Sequence, residues 1–286
     1  MPFPPGGSSD LVARTLSTRF GELLGQPIVV EYKGGAGGSI GAAEVAKAAP
    51  DGYTLLQVWD THAVNHHVYK VPYDFAKSFD PISLLVQAPG LLVAHPDFPV
   101  SSVKQLIDYA KANPGRVTYG TAGAGSSNHL SAEQFAQMAG VKMTHVPYKG
   151  GGPLMTDLLG GHVNIAFGTL PFFEQQVRSG KLKAIGVLSK ERIASMPNLP
   201  AVAETVPGFE ANTWFGLLAP AGTPKEIVTR LQRDVARALA DAKVREQFTS
   251  RGFEPVGSTP ESFATFLNEQ SDAVGKLVKA TGIKAD

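Results

Sequence analysis

Apolar residues recur along the chain with two spacings, and these spacings predict the order of its elements. Short runs of β-branched and apolar residues precede turns rich in glycine or proline, and stretches with apolar residues three and four positions apart follow those turns. Val103, Leu106 and Ala110, for example, lie on one face of a predicted helix over residues 102–112. The repeated order of strand, turn and helix predicts an α/β fold with mostly parallel sheets flanked by helices.

The same patterns predict the positions of individual strands and helices and a division of the chain into two lobes. Strands are predicted over residues 28–32, 53–58, 81–86, 91–94, 117–120, 143–146, 163–167 and 184–188. Helices are predicted over residues 11–20, 39–49, 102–112, 127–139, 154–159, 171–179, 226–240, 241–251 and 260–279. Extended stretches at residues 91–100 and 214–224 are candidate boundaries, and two crossings between lobes form a hinge beside a cleft. We therefore predict lobe 1 over residues 1–97 plus 218–286 and lobe 2 over residues 98–217.

Composition narrows the classes of protein that remain. The 286 residues are enough for about two domains, and 43% hydrophobic with 18% charged residues exclude a disordered chain. A net charge of +1 argues against a nucleic-acid-binding protein. The absence of cysteine excludes disulfides, thiolate catalysis and cysteine-ligated metals. No apolar run approaches the roughly 18 residues that span a bilayer, so direct membrane insertion is not expected.

Two glycine-rich loops, each followed by a hydroxyl-bearing residue and a helix, are the strongest chemical signals. The first loop covers residues 4–10 and the second covers residues 119–129. Unpaired N–H groups at a helix start attract a carboxylate or a phosphate, and glycine lets the backbone approach such a ligand closely. Neither loop contains lysine or arginine, so anion recognition there depends on N–H dipoles and hydroxyl groups. The alternative is that each loop is a plain capped turn.

Two further patterns leave an enzymatic and a metal-binding alternative open. Residues 37–41 match the G-x-S-x-G nucleophile elbow of a serine hydrolase, with Ser39 as nucleophile. Residues 33–38 separate the preceding strand from this serine, so we prefer a glycine-rich turn with Ser39 as helix N-cap. His62, His66 and His67 could bind a metal, but no H-E-x-x-H pattern completes the site. A surface or ligand-side histidine pair is the simpler interpretation, and neither a metal nor a cofactor is expected.

Several motifs, taken in order along the chain, resemble those of one protein family. They are PFPPGGSSD at residues 2–10, VVEYKGGAGG at 29–38, PDGYTLL at 50–56, HVPYKG at 145–150, DLLGGHV at 157–163 and WFGLLAP at 214–220. With these motifs the chain resembles the Bug family, the extracytoplasmic solute receptors of tripartite tricarboxylate transporters. The resemblance implies a two-lobed type II periplasmic-binding-protein fold with a ligand cleft between the lobes, and a receptor rather than an enzyme.

The resemblance also implies a ligand, a partner and a location. The ligand is expected to be a small carboxylate, namely a di- or tricarboxylate, an acidic amino acid or an aromatic acid. The receptor is expected to work in the periplasm and to deliver its ligand to the membrane permease subunits of the transporter. A ligand sensor for a signalling partner is an alternative that the residues do not separate from transport.

In such receptors the ligand's carboxylate sits on the two glycine-rich loops, and side chains at strand ends complete the site. Trp59 follows a predicted strand and could stack on a planar ligand. The expected ligand-binding residues are Pro5, Gly6, Gly7, Ser8, Ser9, Trp59, Thr61, Asn65, Gly123, Gly125, Ser126, Ser127, Asn128, His129 and Thr169.

The chain departs from the family pattern at two places. Family members usually have a signal peptide and then an apolar strand before the first turn, whereas Met1 stands where that strand would end. Lobe 1 is therefore expected to lack its usual first strand. Trp59 and Asp60 stand where small residues are expected. A carboxylate there disfavours a second anionic group nearby and instead favours an amine, amide or hydroxyl on the ligand.

Overall fold

The computed structural model describes residues 1, 2, 5, 8–123, 126–148 and 150–282, and the chain divides into two compact units. The first unit contains Met1–Gln87 and Trp214–Ala280, and the second contains Ala88–Thr213. Each unit has its own sheet and its own buried apolar core. Within the described part of the chain, no helix combines the length and apolar character that a membrane span requires.

The first unit surrounds a four-stranded sheet with helices from both ends of the chain. Its helices are α1 (Ser8–Leu24), α2 (Ser39–Val45), α3 (Thr61–Val68), α8 (Lys225–Ala240), α9 (Ala242–Thr249) and α10 (Pro260–Thr281). Its strands are β1 (Leu56–Trp59), β2 (Phe79–Ala88), β8 (Thr213–Pro220) and β9 (Glu254–Pro255), in the order β1-β8-β2-β9. Strand β1 is antiparallel to β8, and β2 is antiparallel to β9. Helix α1 packs on α8 and α9, so the C-terminal helices complete the N-terminal unit.

The second unit has a five-stranded sheet in the order β5-β4-β6-β3-β7. Its strands are β3 (Gly90–Ala94), β4 (Thr118–Thr121), β5 (Thr144–Pro147), β6 (Ile165–Thr169) and β7 (Lys183–Val187). Its helices are α4 (Val103–Ala112), α5 (Ser127–Ala139), α6 (Gly151–Leu159) and α7 (Leu170–Arg178). Its main core contains the fully buried side chains of Tyr119, Phe135, Phe167 and Phe209.

The second sheet is mixed and the two pairings described above for the first sheet are antiparallel, which corrects the prediction of mostly parallel sheets. Strand β4 is parallel to both β5 and β6, and the intervening helices supply the crossovers that parallel pairing requires. Strand β3 lies between β6 and β7 and is antiparallel to both. It follows β2 after Pro89 alone, so no helical crossover sets its direction.

The unit boundaries differ from the predicted lobe boundaries at residues 97/98 and 217/218. Strand β3 was assigned to lobe 1 by its sequence position, yet it pairs with two strands of the second sheet. Residues 214–217 were assigned to lobe 2, yet Phe215, Gly216 and Leu217 pair with β1 in the first sheet. Both extended stretches lie near the crossings, but the chain passes between the units slightly earlier, after Gln87 and after Thr213.

The segment at residues 28–32 forms no strand, contrary to the prediction from its β-branched and apolar residues. The Met1 ammonium group donates to the Glu31 carbonyl oxygen at 2.7 Å, and the Lys33 amide donates to the Met1 carbonyl oxygen at 2.9 Å. A cavity of about 500 Å³ is lined by this segment, α1 and β1, and Val29 remains 79% exposed. A strand needs a hydrogen-bonded neighbour along its length, and no described strand pairs with this segment.

Candidate functional site

The start of α5 in the second unit is the best-defined part of the predicted site. Ser126 is the N-cap, and its Oγ accepts a hydrogen bond from the His129 amide at 3.4 Å. The same hydroxyl donates to the Gly123 carbonyl oxygen at 2.7 Å. Gly123 has a φ of +137°, which only glycine adopts easily, and its amide donates to Thr121 Oγ1 at 3.3 Å. Gly125 lies outside the described residues. These bonds fix the backbone that leads into the helix.

The first turn of α5 has the properties of an anion site. Helix geometry leaves the amides of Ser127 and Asn128 without an acceptor inside the helix, and the helix dipole adds positive potential there. The first turn carries no acidic residue that would oppose an anion. The Asn128 side chain donates to the Phe167 carbonyl oxygen at 2.8 Å. It therefore braces α5 against the end of β6, and its backbone amide is the better candidate for ligand contact.

His129 is a packing residue beneath this helix start. Its ring stacks on that of His145, with centroids 3.8 Å apart, and burial, with a smaller contribution from His145, lowers the pKa of His129 to about 4. The imidazole is therefore neutral near pH 7 and offers no charge to an anion. His145 Nε2 lies 2.7 Å from Thr121 Oγ1. His145 thus holds the Thr121 hydroxyl, which in turn accepts from the Gly123 amide.

Tyr119 extends the same cluster into the core of the second unit. Its ring stacks on His145 at 5.1 Å, and its hydroxyl donates to the Glu133 carboxylate. Burial, together with that hydrogen bond, raises the pKa of Tyr119 above its usual value. Thr169, another predicted site residue, occupies the N-cap position of α7 without a side-chain cap bond. Its role in binding stays a prediction.

The start of α1 is tied to the first sheet by its second residue. Ser9 is buried, and its carbonyl oxygen and Oγ accept from Gln57 Nε2 at 2.8 and 3.0 Å. Ser8 begins the helix and is half-buried, and Pro5 is exposed. Gly6 and Gly7 lie outside the described residues. Ser8 is therefore the predicted residue of this loop that the structure leaves best placed to meet a ligand.

The acidic residue in the first turn of α1 is occupied by internal partners. Asp10 Oδ1 accepts from the Tyr32 hydroxyl at 2.6 Å and from Arg14 Nε at 2.8 Å. The hydrogen bond to Asp10 raises the pKa of Tyr32. The ion pair with Arg14 partly neutralises the Asp10 carboxylate, so Asp10 repels an anion at the helix start less strongly.

Two predicted site residues, Trp59 and Thr61, lie on either side of Asp60 where β1 passes into α3. Trp59 ends β1, and its ring packs at a tilt against Phe215 with centroids 6.1 Å apart. Asp60 occupies the N-cap position of α3 and is 9% exposed. Thr61 begins α3 and is 7% exposed, and its Oγ1 has no hydrogen-bond partner among the described residues. A buried hydroxyl that makes no hydrogen bond is costly, so Thr61 Oγ1 is a candidate for a ligand contact.

Asn65 supports the neighbouring glycine-rich turn. Its side-chain amide donates to the Gly37 carbonyl oxygen at 2.9 Å, and the residue is fully enclosed. Gly37 and Gly38 have positive φ values of 62° and 95°, which a side chain would strain. Asn65 is thus a positioning residue for this turn, and a direct ligand contact by Asn65 stays a prediction.

The residues at 37–41 form no nucleophile elbow. Ser39 is buried and begins α2 directly after Gly38, and no described strand leads into it. The preferred prediction of a glycine-rich turn is correct, but the N-cap is Gly38 and not Ser39. The left-handed backbone at Gly38 explains this shift by one residue, because the helical φ and ψ values start only after it.

The three histidines of α3 pack against aromatic and hydroxyl groups. His62 lies against Tyr73, Phe75 and Phe79, and burial lowers its pKa to about 3. His66 Nε2 and His67 Nε2 lie 2.9 and 3.1 Å from Ser271 Oγ on α10. No group of three or more metal-ligating side chains occurs among the residues that the structure describes. The i,i+4 spacing here serves packing between helices.

Sequence reasoning missed Gln57, Thr121 and His145 as supports of the two helix starts. Gln57 lies in a predicted strand whose other residues are mainly apolar, and a polar side chain in such a run is a usable signal of a buried hydrogen bond. His145 stands inside one of the family motifs, but its stacking on His129 depends on the parallel pairing of β4 with β5.

Comparison with known proteins connects these features with a receptor family. A family model described as "Tripartite tricarboxylate transporter family receptor" matches residues 12–283. The periplasmic binding protein BugD is 37% identical and superimposes with a TM-score of 0.87, covering 100% of this chain and 97% of its own. The R. palustris protein Rpa4515 with adipate is 37% identical with a TM-score of 0.90, over 99% and 96% of the two chains.

A third solved structure is similar over the same extent. MatC from Rhodopseudomonas palustris, with bound malate, is 34% identical with a TM-score of 0.85, over 97% of this chain and 96% of its own. These matches confirm the resemblance to Bug receptors and the α/β fold of the two-lobed type II class. The family and these structural neighbours are solute-binding receptors and not enzymes, which removes the serine hydrolase alternative.

Proposed function

The chain belongs to the tripartite tricarboxylate transporter receptor family, and from this premise we propose that it captures a small carboxylate in the periplasm and delivers it to the permease subunits of such a transporter. Its similarity to the periplasmic binding protein BugD supports the location. The adipate and malate in two similar structures support a dicarboxylic acid as the first ligand class to examine.

The observation that carries this proposal is the organised start of α5. Ser126, Gly123 and Thr121 hold one another by hydrogen bonds before any ligand arrives, so the free amides of the first turn are pre-positioned. Pre-positioned dipoles bind an anion without a cost for ordering the loop. Ser127 adds a half-buried hydroxyl beside these amides.

The start of α1 is the second proposed contact in the first unit. Ser8 begins a 17-residue helix whose next residue is locked to Gln57. The backbone at this helix start is therefore as well supported as that of α5. We propose that the Ser8 hydroxyl can donate to a carboxylate oxygen, as proposed for the start of α5, with glycine in the loop allowing the close approach.

A charge substitution at the start of α5 tests this proposal. Ser127→Asp places a carboxylate where the ligand's carboxylate is expected, whereas Ser127→Asn has a similar size and no charge. Aspartate in the first turn is compatible with the helix dipole, so the fold should be retained. Calorimetric titration of the purified wild type with succinate, malate, adipate, citrate, aspartate, nicotinate and terephthalate supplies the reference affinities.

We expect at least one of these acids to bind the wild type with a dissociation constant in the micromolar range or below. Ser127→Asp should then weaken its binding by at least about a hundredfold, or roughly 2.7 kcal/mol, and Ser127→Asn by less than about tenfold. Ser131→Asp, one turn further into the same helix, is the matched control and should bind nearly as the wild type. Wild-type affinity in Ser127→Asp would refute the site, and a cooperatively melting protein that binds no member of the series would refute the ligand class.

A further inference from the structure

We propose that the corner formed by Asp60 and Thr61 binds a hydrogen-bond-donating group of the ligand, so that the preferred ligand is a carboxylate that also carries a hydroxyl or an ammonium group. The inference rests on the proposed function, because it concerns a second group on the same ligand.

The first argument is the state of the Thr61 hydroxyl. Thr61 is 93% enclosed, as its 7% exposure implies, and its Oγ1 meets no donor or acceptor in the described part of the chain. Buried hydroxyls in folded proteins are almost always hydrogen-bonded, to protein, water or ligand. A hydroxyl that made no hydrogen bond at all would be better replaced by a methyl group, as in valine, and no described residue bonds to this one. Thr61 lies just after the end of β1, where ligand sites of α/β proteins usually open, so its hydroxyl is placed to bind a ligand.

The second argument is the charge at this corner. Asp60 precedes Thr61 directly and is only 9% exposed, so water screens its carboxyl group poorly. A second ligand carboxylate beside Asp60 would meet a like charge at short range, whereas a hydroxyl or ammonium group would donate a hydrogen bond. Thr61 Oγ1 can accept from such a donor and can also donate, so it suits both groups.

The third argument is that the basic side chains of α3 do not offset this charge. His62 is enclosed by three aromatic rings, and burial holds its pKa near 3. His66 stacks on Phe75, and burial with the neighbouring His67 holds its pKa near 4. Both imidazoles are neutral near pH 7, so α3 supplies no cation from these two residues that would attract an anionic group to the corner.

A matched series of four-carbon acids separates the possibilities. Succinate, malate and aspartate share one carbon chain and differ only in a hydrogen, a hydroxyl or an ammonium group at C2. Benzoate, 4-hydroxybenzoate and terephthalate make the same comparison on an aromatic ring, with terephthalate carrying a second carboxylate. Each acid is titrated calorimetrically into the full chain and into Thr61→Val and Asp60→Asn.

In at least one of the two series, we expect the member with a hydroxyl or ammonium group to bind the wild type at least about tenfold more tightly than the member without it, or about 1.4 kcal/mol. Thr61→Val should reduce this ratio to about threefold or less while it leaves the melting temperature unchanged or slightly raised, because it removes only an unpartnered hydroxyl. Asp60→Asn should reduce the preference for ammonium more than that for hydroxyl, and the comparison of malate with aspartate shows which donor the corner takes.

Three results would overturn the inference, and they are distinguishable from one another. If neither series shows this preference, while the acids that bind the wild type are lost in Ser127→Asp, the receptor function stands and the role of this corner is removed. A preference that survives in Thr61→Val together with a lowered melting temperature would assign the hydroxyl to the fold. A folded wild type that binds none of the six acids, nor the wider carboxylate series, would remove the proposed function and this inference together.

Discussion

Acid should destabilise the first unit through His62, and the size of this effect follows from the burial of the ring. His62 is enclosed by Tyr73, Phe75 and Phe79, and its pKa lies near 3 in the folded chain, with burial as the main cause and His66 as a smaller one. An unfolded histidine has a pKa of about 6.5. Between these two pH values the unfolded chain binds more protons than the folded chain, so the free energy of unfolding falls as the pH falls.

The magnitude at pH 5.0 can be worked from these two pKa values. Each pH unit below 6.5 costs about 1.4 kcal/mol until the folded pKa is reached, so pH 5.0 costs about 2 kcal/mol at His62. Above pH 6.5 the contribution is fully present. His62→Phe removes the titrating group and keeps an aromatic ring in the cluster. The variant should therefore lose about 2 kcal/mol less than the wild type between pH 7.5 and pH 5.0.

The chain offers a selective assay for this difference. Both tryptophans, Trp59 and Trp214, lie in the first unit, so urea unfolding followed by tryptophan fluorescence reports on that unit. Each protein is compared with itself at the two pH values, so a change in absolute stability caused by the larger ring cancels. His162→Gln, at an exposed position, is the control and should keep the wild-type pH dependence. If His62→Phe and also His62→Leu lose as much stability as the wild type, the buried neutral state of His62 is refuted.

Two further changes test the packing that supports the site. Gly216→Ala should lower the free energy of unfolding by about 1–3 kcal/mol in the same urea assay, because the new Cβ would lie 2.1 Å from Phe263 Cζ; an unchanged midpoint would contradict this close contact. Asn65→Ala should lower the free energy of unfolding by about 1–3 kcal/mol, because it leaves the Gly37 carbonyl without its donor, and a calorimetric melt that matches the wild type would argue against it.

Helices with strong periodicity were predictable from the sequence, whereas the strand predicted at residues 28–32 does not form. Helix α5 covers the predicted residues 127–139, and α8 begins one residue before the predicted start at 226. A helix satisfies its backbone internally, so local pattern is enough to define it. A strand depends on its neighbours, and residues 28–32 have the β-branched and apolar residues of a strand but pair with no described strand. The mixed direction of the second sheet was unpredictable for the same reason.

In the candidate site, too, local features were predictable from the sequence and contacts between separate elements were not. The capping role of Ser126 followed from a glycine-rich loop before a helix, because capping is a local interaction. The neutral, stacked state of His129 did not follow, since it depends on His145 from a neighbouring strand. The packing of His62 and His66 did not follow from their local spacing either, because it depends on a following aromatic cluster and on Ser271 from a distant part of the chain.

Glycines in one family motif and around the second glycine-rich loop have backbone roles that are independent of the ligand. Gly37 and Gly123 have positive φ values, and a Cβ on Gly120 would lie 2.4 Å from Leu154 Cδ1. Such positions admit little but glycine in any receptor with this backbone, whichever solute it binds. Ligand chemistry must then come from residues that the backbone tolerates in several forms, such as Ser127 and Thr61. Substitutions at those two positions should therefore change which acid is bound while the fold persists, and substitutions at the glycines should change the fold first.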